Sequence, residues 1–277
     1  MDKHKDFILY IEAGKTEKQY IKDIWRYREL FYFLAWRDIL VRYKQTVIGV
    51  LWAVLRPFLT MVVFTFIFGS VAKLPSEGGA PYPIMVYAAM LPWTFFASAL
   101  QESSNSLITN ANMISKIYFP RLVVPISAVI VSFVDFLVSF IILIGLMIFY
   151  GFVPPIQILL LPVFTLIAFF AAIGFGLLLA ALNVKYRDFR YIVPFIVQFG
   201  LYISPVGFSS AVIPEQWRLL YSVNPMVGVI DGFRWSIIGN TQIYWPGMIL
   251  SLLLVSLVFI FGLLYFRKTE RTFADII

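Results

Sequence analysis

The chain has no cysteine and a single histidine, His4. The first absence excludes a disulfide framework, a thiolate metal site and a thiol nucleophile. The second leaves no histidine-based acid–base site outside the N-terminal segment. Charge is scarce as well: Asp, Glu, Lys and Arg make up 13% of the 277 residues, against roughly 25% in an ordinary soluble domain. With 61% hydrophobic residues and a mean hydropathy of +0.86, too little polar surface is left to cover a soluble globule. The class is a polytopic membrane protein. No Asp-x-Asp pair of the kind a metal-dependent sugar-nucleotide transferase needs is present, and no Ser/His/Asp set can form. No catalytic residue and no metal site are therefore assigned. The charge-rich first forty-odd residues lack the apolar core and cleavage site of a signal peptide.

One stretch looks like nucleotide chemistry. In FILYIEAGKT (7–16) an apolar run leads into Gly14-Lys15-Thr16, the way a phosphate-binding loop ends. Such a loop needs a second glycine five residues earlier, so that successive backbone N–H groups turn inward around the phosphates. That position is Leu9. The chain does not read as an ATPase.

Long, nearly charge-free segments mark six candidate spans, at about 46–72, 82–102, 122–150, 156–183, 191–212 and 244–266. Residues 136–184 contain no charge at all, too long for one span and right for a hairpin of two, turned at YGFVPPIQ (150–157). Eighteen of the 22 Lys and Arg residues fall on one side: ten before residue 45, Lys116 and Arg121, then Lys185, Arg187 and Arg190, then Arg267, Lys268 and Arg271. The positive-inside bias puts both termini in the cytoplasm. The basic net charge of +7 is then topology, with anionic membrane lipid rather than nucleic acid as its partner. Residues 1–45 are expected to form a cytoplasmic segment and 46–277 a single transmembrane domain.

Two regions do not fit simple spans. Residues 20–45 hold an apolar run of seven, Leu30 to Trp36, between charged flanks. A helix lying in the headgroup zone suits them, with Trp25, Tyr27, Tyr32 and Trp36 as interfacial rings and part of it packed on protein. Asp38 and Arg42 are spaced for an i,i+4 pair. Residues 204–243 alternate Pro/Gly breaks with apolar pieces too short to cross. Re-entrant or surface half-helices on the outer face are expected there, solvated by protein or a cavity; an ordinary loop with a surface helix is the other reading. Inside the spans, Asp135 is the one candidate for an ion-coupled carrier, set against a buried carboxylate bonded to a Ser or to Arg56. Arg56-Pro57 marks a kink, and Arg56 either meets an anionic group or snorkels.

Four ordered blocks carry a resemblance. YRELFYFLAWRDILVRYKQTVIGVLWAVLRP (27–57), NANMISKIYFPRLVVP (110–125), LNVKYRDFRYIVPFIVQFGLYISPV (182–206) and VNPMVGVIDGFRW (223–235) together resemble the permease subunits of polysaccharide-exporting type-2 ABC transporters. These are the Wzm-like proteins of O-antigen, capsule and teichoic acid export. The resemblance implies an all-α polytopic membrane protein with six transmembrane helices, an N-terminal amphipathic interface helix and re-entrant outer half-helices between spans 5 and 6. It implies a homodimer in the bacterial cytoplasmic (inner) membrane around a channel for lipid-linked polysaccharide, O-antigen foremost. Two separate ATPase subunits would hold the ATP and Mg, leaving no cofactor in this chain. An interface helix at about Arg28 to Lys44 and a coupling helix at about Ser104 to Ile117 would touch the ATPase. Arg37, Asp38, Ser104, Asn105, Asn110, Asn112, Ser115 and Lys116 are the coupling candidates on that reading.

A glycan route needs polar groups for hydroxyls and flat rings for the C–H faces of sugars. Tyr191, Phe195, Phe199 and Tyr202 recur as one helical stripe with Gln198 beside it. Span 1 adds Phe64, Phe68 and Trp52. These are the channel candidates, although aromatics are 18% of the chain and most must face lipid or pack helices. Arg42 and Arg56 are the candidates for the anionic head, because guanidinium bonds phosphate at two points. The competing readings are an ion-coupled carrier or channel using Asp135, a lipid-linked-glycan enzyme, and a passive membrane scaffold.

Overall fold

The computed structural model describes residues 25–44 and 49–273, with side chains from residue 54 onward in the second stretch. The FILYIEAGKT segment and the Trp52 side chain lie outside the described residues. All regular elements among the described residues are helical. α1 (Arg28–Lys44) buries Leu34 and Ala35 while Trp25, Tyr32, Phe33 and Trp36 stay exposed. Two of these rings, Tyr32 and Trp36, stack with centroids 6.1 Å apart. Tyr27, Leu30 and Phe31 pack against the core with Leu34 and Ala35, a strip at i, i+3 and i+4 spacing along the helix.

α2 (Gly49–Phe64) contains Pro57 and continues as a π-helical segment, Thr65–Val71. α3 (Tyr82–Thr109) is the central helix, burying residues on all its faces. It runs one to two turns past the expected end of span 2. The hydroxyls of the polar residues there are satisfied inside the helix by carbonyls one turn back, Ser104 to Gln101 at 2.9 Å and Ser106 to Ser103 at 2.7 Å. A short α4 (Ala111–Ile114) follows. α5 (Val123–Tyr150) ends on Gly151 with φ 61, a left-handed cap, and a 3-10 turn at Ile156–Leu160 leads into α6 (Leu161–Lys185). The expected hairpin of two spans is thus present.

α7 (Phe189–Ile203) is shorter than the span expected at 191–212. Its 15 residues make about 22 Å at 1.5 Å each, short of a roughly 30 Å hydrocarbon core. Pro205 is the reason: it holds Ser204 in an extended conformation, ψ 152, and cannot continue the hydrogen-bond ladder. Then come α8 (Glu215–Tyr221), α9 (Pro225–Ile238) and α10 (Trp245–Thr269). α9 starts on Asn224, whose side chain accepts from the Met226 N–H at 3.1 Å. It is enclosed between α3, α6 and α10, whereas α8 buries none of its residues, so the segment holds one enclosed and one surface helix. Five helical stretches are long and apolar enough to cross a membrane: Val54–Val71, Tyr82–Thr109, Val123–Tyr150, Ile156–Lys185 and Trp245–Thr272.

Helices in lipid gain little from hydrophobicity alone and associate by close packing. A ring cluster joins α3, α5 and α6: Phe95 lies 5.7 Å from Phe133, 5.6 Å from Phe136 and 6.2 Å from Phe169. α6 and α10 meet backbone to backbone, since a Cβ on Gly262 would lie 2.3 Å from the Gly174 carbonyl oxygen. Gly262→Val is therefore expected to force these helices apart at a cost of about 1–3 kcal/mol, read as a lowered thermal midpoint in detergent. Gly145→Ala, where a Cβ meets nothing within 4 Å, should leave the midpoint unchanged or slightly raised.

Candidate functional site

At one end of the molecule the last turn of α1 is tied to two membrane helices. Arg42 bonds Asp135 of α5 and Glu102 of α3, the latter at 2.6 Å, and the Tyr43 hydroxyl donates to the other Asp135 oxygen. Burial pulls the Arg42 guanidinium down, but the two carboxylates outweigh it and leave it above its ordinary value. Burial first, then the hydrogen bond to Asp135, pushes the Tyr43 phenol far up. The partner of Asp135 is thus Arg42 with Tyr43, and neither Arg56 nor a serine. Nor does Asp38 pair with Arg42; it pairs with its neighbour Arg37 at 2.7 Å. Arg37 also donates to Asn110 at 3.1 Å, fastening α1 to the end of α3. Arg56 is exposed on α2.

The stretch expected as a coupling helix divides in two. Ser104 and Asn105 belong to α3, where Asn183 of α6 donates to the Ser104 carbonyl at 2.9 Å and to Asn105 at 3.2 Å. Ser104 is buried. Asn112, Ser115 and Lys116 are exposed, together with Ile117 and Tyr118. Arg121 donates to the Glu270 carbonyl, so this loop and the chain's C-terminal part share an end with α1.

The aromatic residues of the candidate route separate by environment. Tyr191, Phe195, Phe199 and Tyr202 all stand exposed on one face of α7, with Phe195 and Phe199 stacked at 5.9 Å. Gln198 is exposed beside them. The opposite face packs through Val193 and Gly200, where a Cβ would lie 2.5 Å from the Trp93 ring of α3. Phe64 and Phe68 are turned the other way, packed edge to face at 5.5 Å. They close over Gly207, whose Cβ would meet the Phe68 ring at 2.6 Å.

At the opposite end of α3 a second polar group forms, around a cation of α9. Arg234 of α9 is fully buried. It donates to the carbonyls of Phe208 at 2.8 Å, Val206 at 3.0 Å and Met85 at 3.3 Å, and pairs with Glu77 at 3.4 Å. The Tyr82 hydroxyl takes the intervening Gly207 carbonyl at 2.7 Å. Irregular backbone after α7 is therefore solvated by protein. The signal was legible in principle, because Asp231 and Arg234 sit i,i+3 on an otherwise apolar helix.

A protein-family model for the "ABC-2 type transporter" matches residues 29–238, the stretch from α1 through α9. The chain belongs to the ABC-2 type transporter family. Two relatives from Klebsiella pneumoniae, each called "O-antigen export system permease protein RfbA", are 28% and 27% identical, over 90% of this chain and 95% of theirs. A protein of the same name from Myxococcus xanthus is 26% identical over 77% of this chain and 82% of its own. This ABC-2 chain is a multi-pass membrane protein and a transporter subunit.

Removing one member of a partly buried ion pair leaves the other without its partner. Asp135→Asn is expected to lower the stability of the detergent-solubilised protein by about 1–3 kcal/mol. The double variant Arg42→Met with Asp135→Asn should lose less than the sum of the single changes. Thermal unfolding of the four proteins of the cycle measures this coupling.

Proposed function

We propose that this chain is the channel-forming subunit of an ATP-driven exporter that moves lipid-linked polysaccharide, O-antigen foremost, across the bacterial cytoplasmic membrane. Two copies would pair around the route, with two ATPase subunits binding below them and both termini on the cytoplasmic side. The observation that carries the reading is near full-length similarity to permeases named for O-antigen export, covering 90% of this chain and 95% of the relative.

The residues present supply a physical account. A sugar ring packs its C–H face on an aromatic ring and keeps its hydroxyls free. Such contacts tolerate sliding, as a passing polymer requires. The exposed α7 face, Tyr191 to Tyr202 with Gln198 beside it, offers these rings in a row, and the partner copy would provide a second row. Trp52, Phe64 and Phe68 are assigned to the same route, the last two from behind, as supports of the outer segment. Arg56, exposed on α2, is the residue for an anionic head. Arg42 would serve that role only when its two carboxylates release it.

Force from ATP binding would enter where exposed polar residues cluster at the cytoplasmic end. Asn112, Ser115 and Lys116 form that surface, and Ser104, Asn105 and Asn110 act behind it by anchoring it to α3 and α6. Arg37, bonded to both Asp38 and Asn110, ties α1 to the same surface. A push there reaches α3, the helix on which most others pack.

The test is a tagged pull-down from native membranes in mild detergent, with ATP hydrolysis measured on the eluate. An ATPase chain in near-equal amount is expected, with hydrolysis lost when Asn112, Ser115 and Lys116 are replaced by alanine. Recovery of this chain alone, folded and without ATPase activity, would overturn the reading.

A further inference from the structure

A cavity of about 230 Å³ opens where Glu77, the segment from Ser209 to Ser222, α9 and the start of α10 meet. It lies at the Tyr82 end of α3, away from Arg37 and Arg42. The 28 residues of α3 separate the two ends by about 40 Å. The cavity is distinct from the α7 face. Three features show that it is built rather than left over.

Its walls are held by close approaches. Gly78 turns with φ +59, and a Cβ there would lie 2.7 Å from Ile238. At Gly247 a Cβ would lie 2.3 Å from the Ser222 hydroxyl oxygen and 2.7 Å from the Tyr244 ring. Larger residues at either position would displace the wall.

Its lining mixes rings with hydrogen-bonding groups of both kinds. Tyr221 and Tyr244 present aromatic surface, and Glu77, Asp231 and Asn240 supply carboxylates and an amide. Ser210 and Asp231 line the same wall. Charge is balanced: Arg234 pairs with Glu77, and Arg218, itself in the lining, faces the same space as Asp231. A site so balanced does not select an ion of either sign. Carboxylates and amides beside aromatic rings suit a neutral polyhydroxylated ring, with hydroxyls donating to the carboxylates and the C–H face lying on a tyrosine.

One donor is left over. The Tyr221 hydroxyl is buried and has no hydrogen-bond partner among the described residues. A buried polar group without a partner is costly, and a ligand hydroxyl in the cavity would satisfy it.

We propose that this outer-face cavity is a binding site for a single sugar residue of the exported glycan. The inference rests on the polysaccharide-export reading and deepens it. A site beyond the far end of the route would hold the emerging polymer against backsliding between power strokes. Its size admits one ring and not a chain, so it grips a branch or a terminal residue.

The test uses the purified transporter in nanodiscs and the oligosaccharide repeat released by mild acid from the host's own surface polysaccharide. Binding is followed by saturation-transfer NMR, with inorganic phosphate and calcium chloride as separate probes. Saturable binding of the oligosaccharide is expected. Tyr221→Phe should weaken it about tenfold, a factor equivalent to about 1.4 kcal/mol. The thermal midpoint without ligand should stay unchanged or rise, because only an unpartnered hydroxyl is lost. A merely structural tyrosine would move the midpoint and leave the affinity alone. No oligosaccharide binding, equal binding by Tyr221→Phe, or binding of phosphate or calcium in its place would each overturn the proposal. Surface polysaccharide in a strain lacking this chain is measured in parallel. A loss of surface polymer without oligosaccharide binding would sink the cavity alone, and undiminished surface polymer would sink the export reading beneath it.

Discussion

The half of this protein at the Tyr82 end of α3 depends on one buried guanidinium. Arg234 has no exposed surface, and a charge at such a site is tolerated only when its donors are taken. Its partners come from three places: Glu77 in the loop after the π-helical segment, Met85 in the first turn of α3, and Val206 with Phe208 in the segment after α7. Backbone carbonyls that a broken helix would leave bare are the same groups that the cation needs. Each solves the other's desolvation problem. This mutual dependence lets the chain leave helical geometry at Ser204 and still bury residues 204–207.

The opposite end of α3 follows a different rule. Its cation, Arg42, is partly exposed and held by side-chain carboxylates rather than carbonyls. Such bonds can be exchanged for other anions or for water at moderate cost. Arg37 with Asn110 is of the same type. One end is thus fastened through backbone, the other through side chains. Between them α3 acts as a strut, packed through rings and small residues. A contact that couples to a moving partner is better made at the softer end, and a persistent wall at the stiffer one.

Much of the architecture was readable because lipid imposes a simple code. Long charge-free runs marked α2, α3, α5, α6 and α10 close to their observed limits, and Gly151 with the paired prolines marked the hairpin. The helix before span 1 was legible from a short apolar run between charges. Where reading failed, competing local chemistry won. Ser104 and Ser106 were expected in a separate coupling helix, yet they continue α3 to Thr109. Span 5 stopped early because Pro205 outweighs the apolar residues after it. The i,i+4 spacing of Asp38 and Arg42 suggested a pair, but each found a partner elsewhere.

By itself the sequence determined the class of molecule and the order of its apolar segments. Those follow from composition and local pattern, which act within one segment at a time. Only the tertiary structure decided that Asp135 belongs to Arg42 and Tyr43, and that Phe64 and Phe68 face inward while the α7 rings face outward. It also decided that Glu77, Tyr221 and Asp231 share a cavity. The physical reason is that these residues lie far apart in the chain. Their meeting depends on how helices cross, which is set by glycines such as Gly174, Gly200 and Gly262 and by which buried charges must find partners.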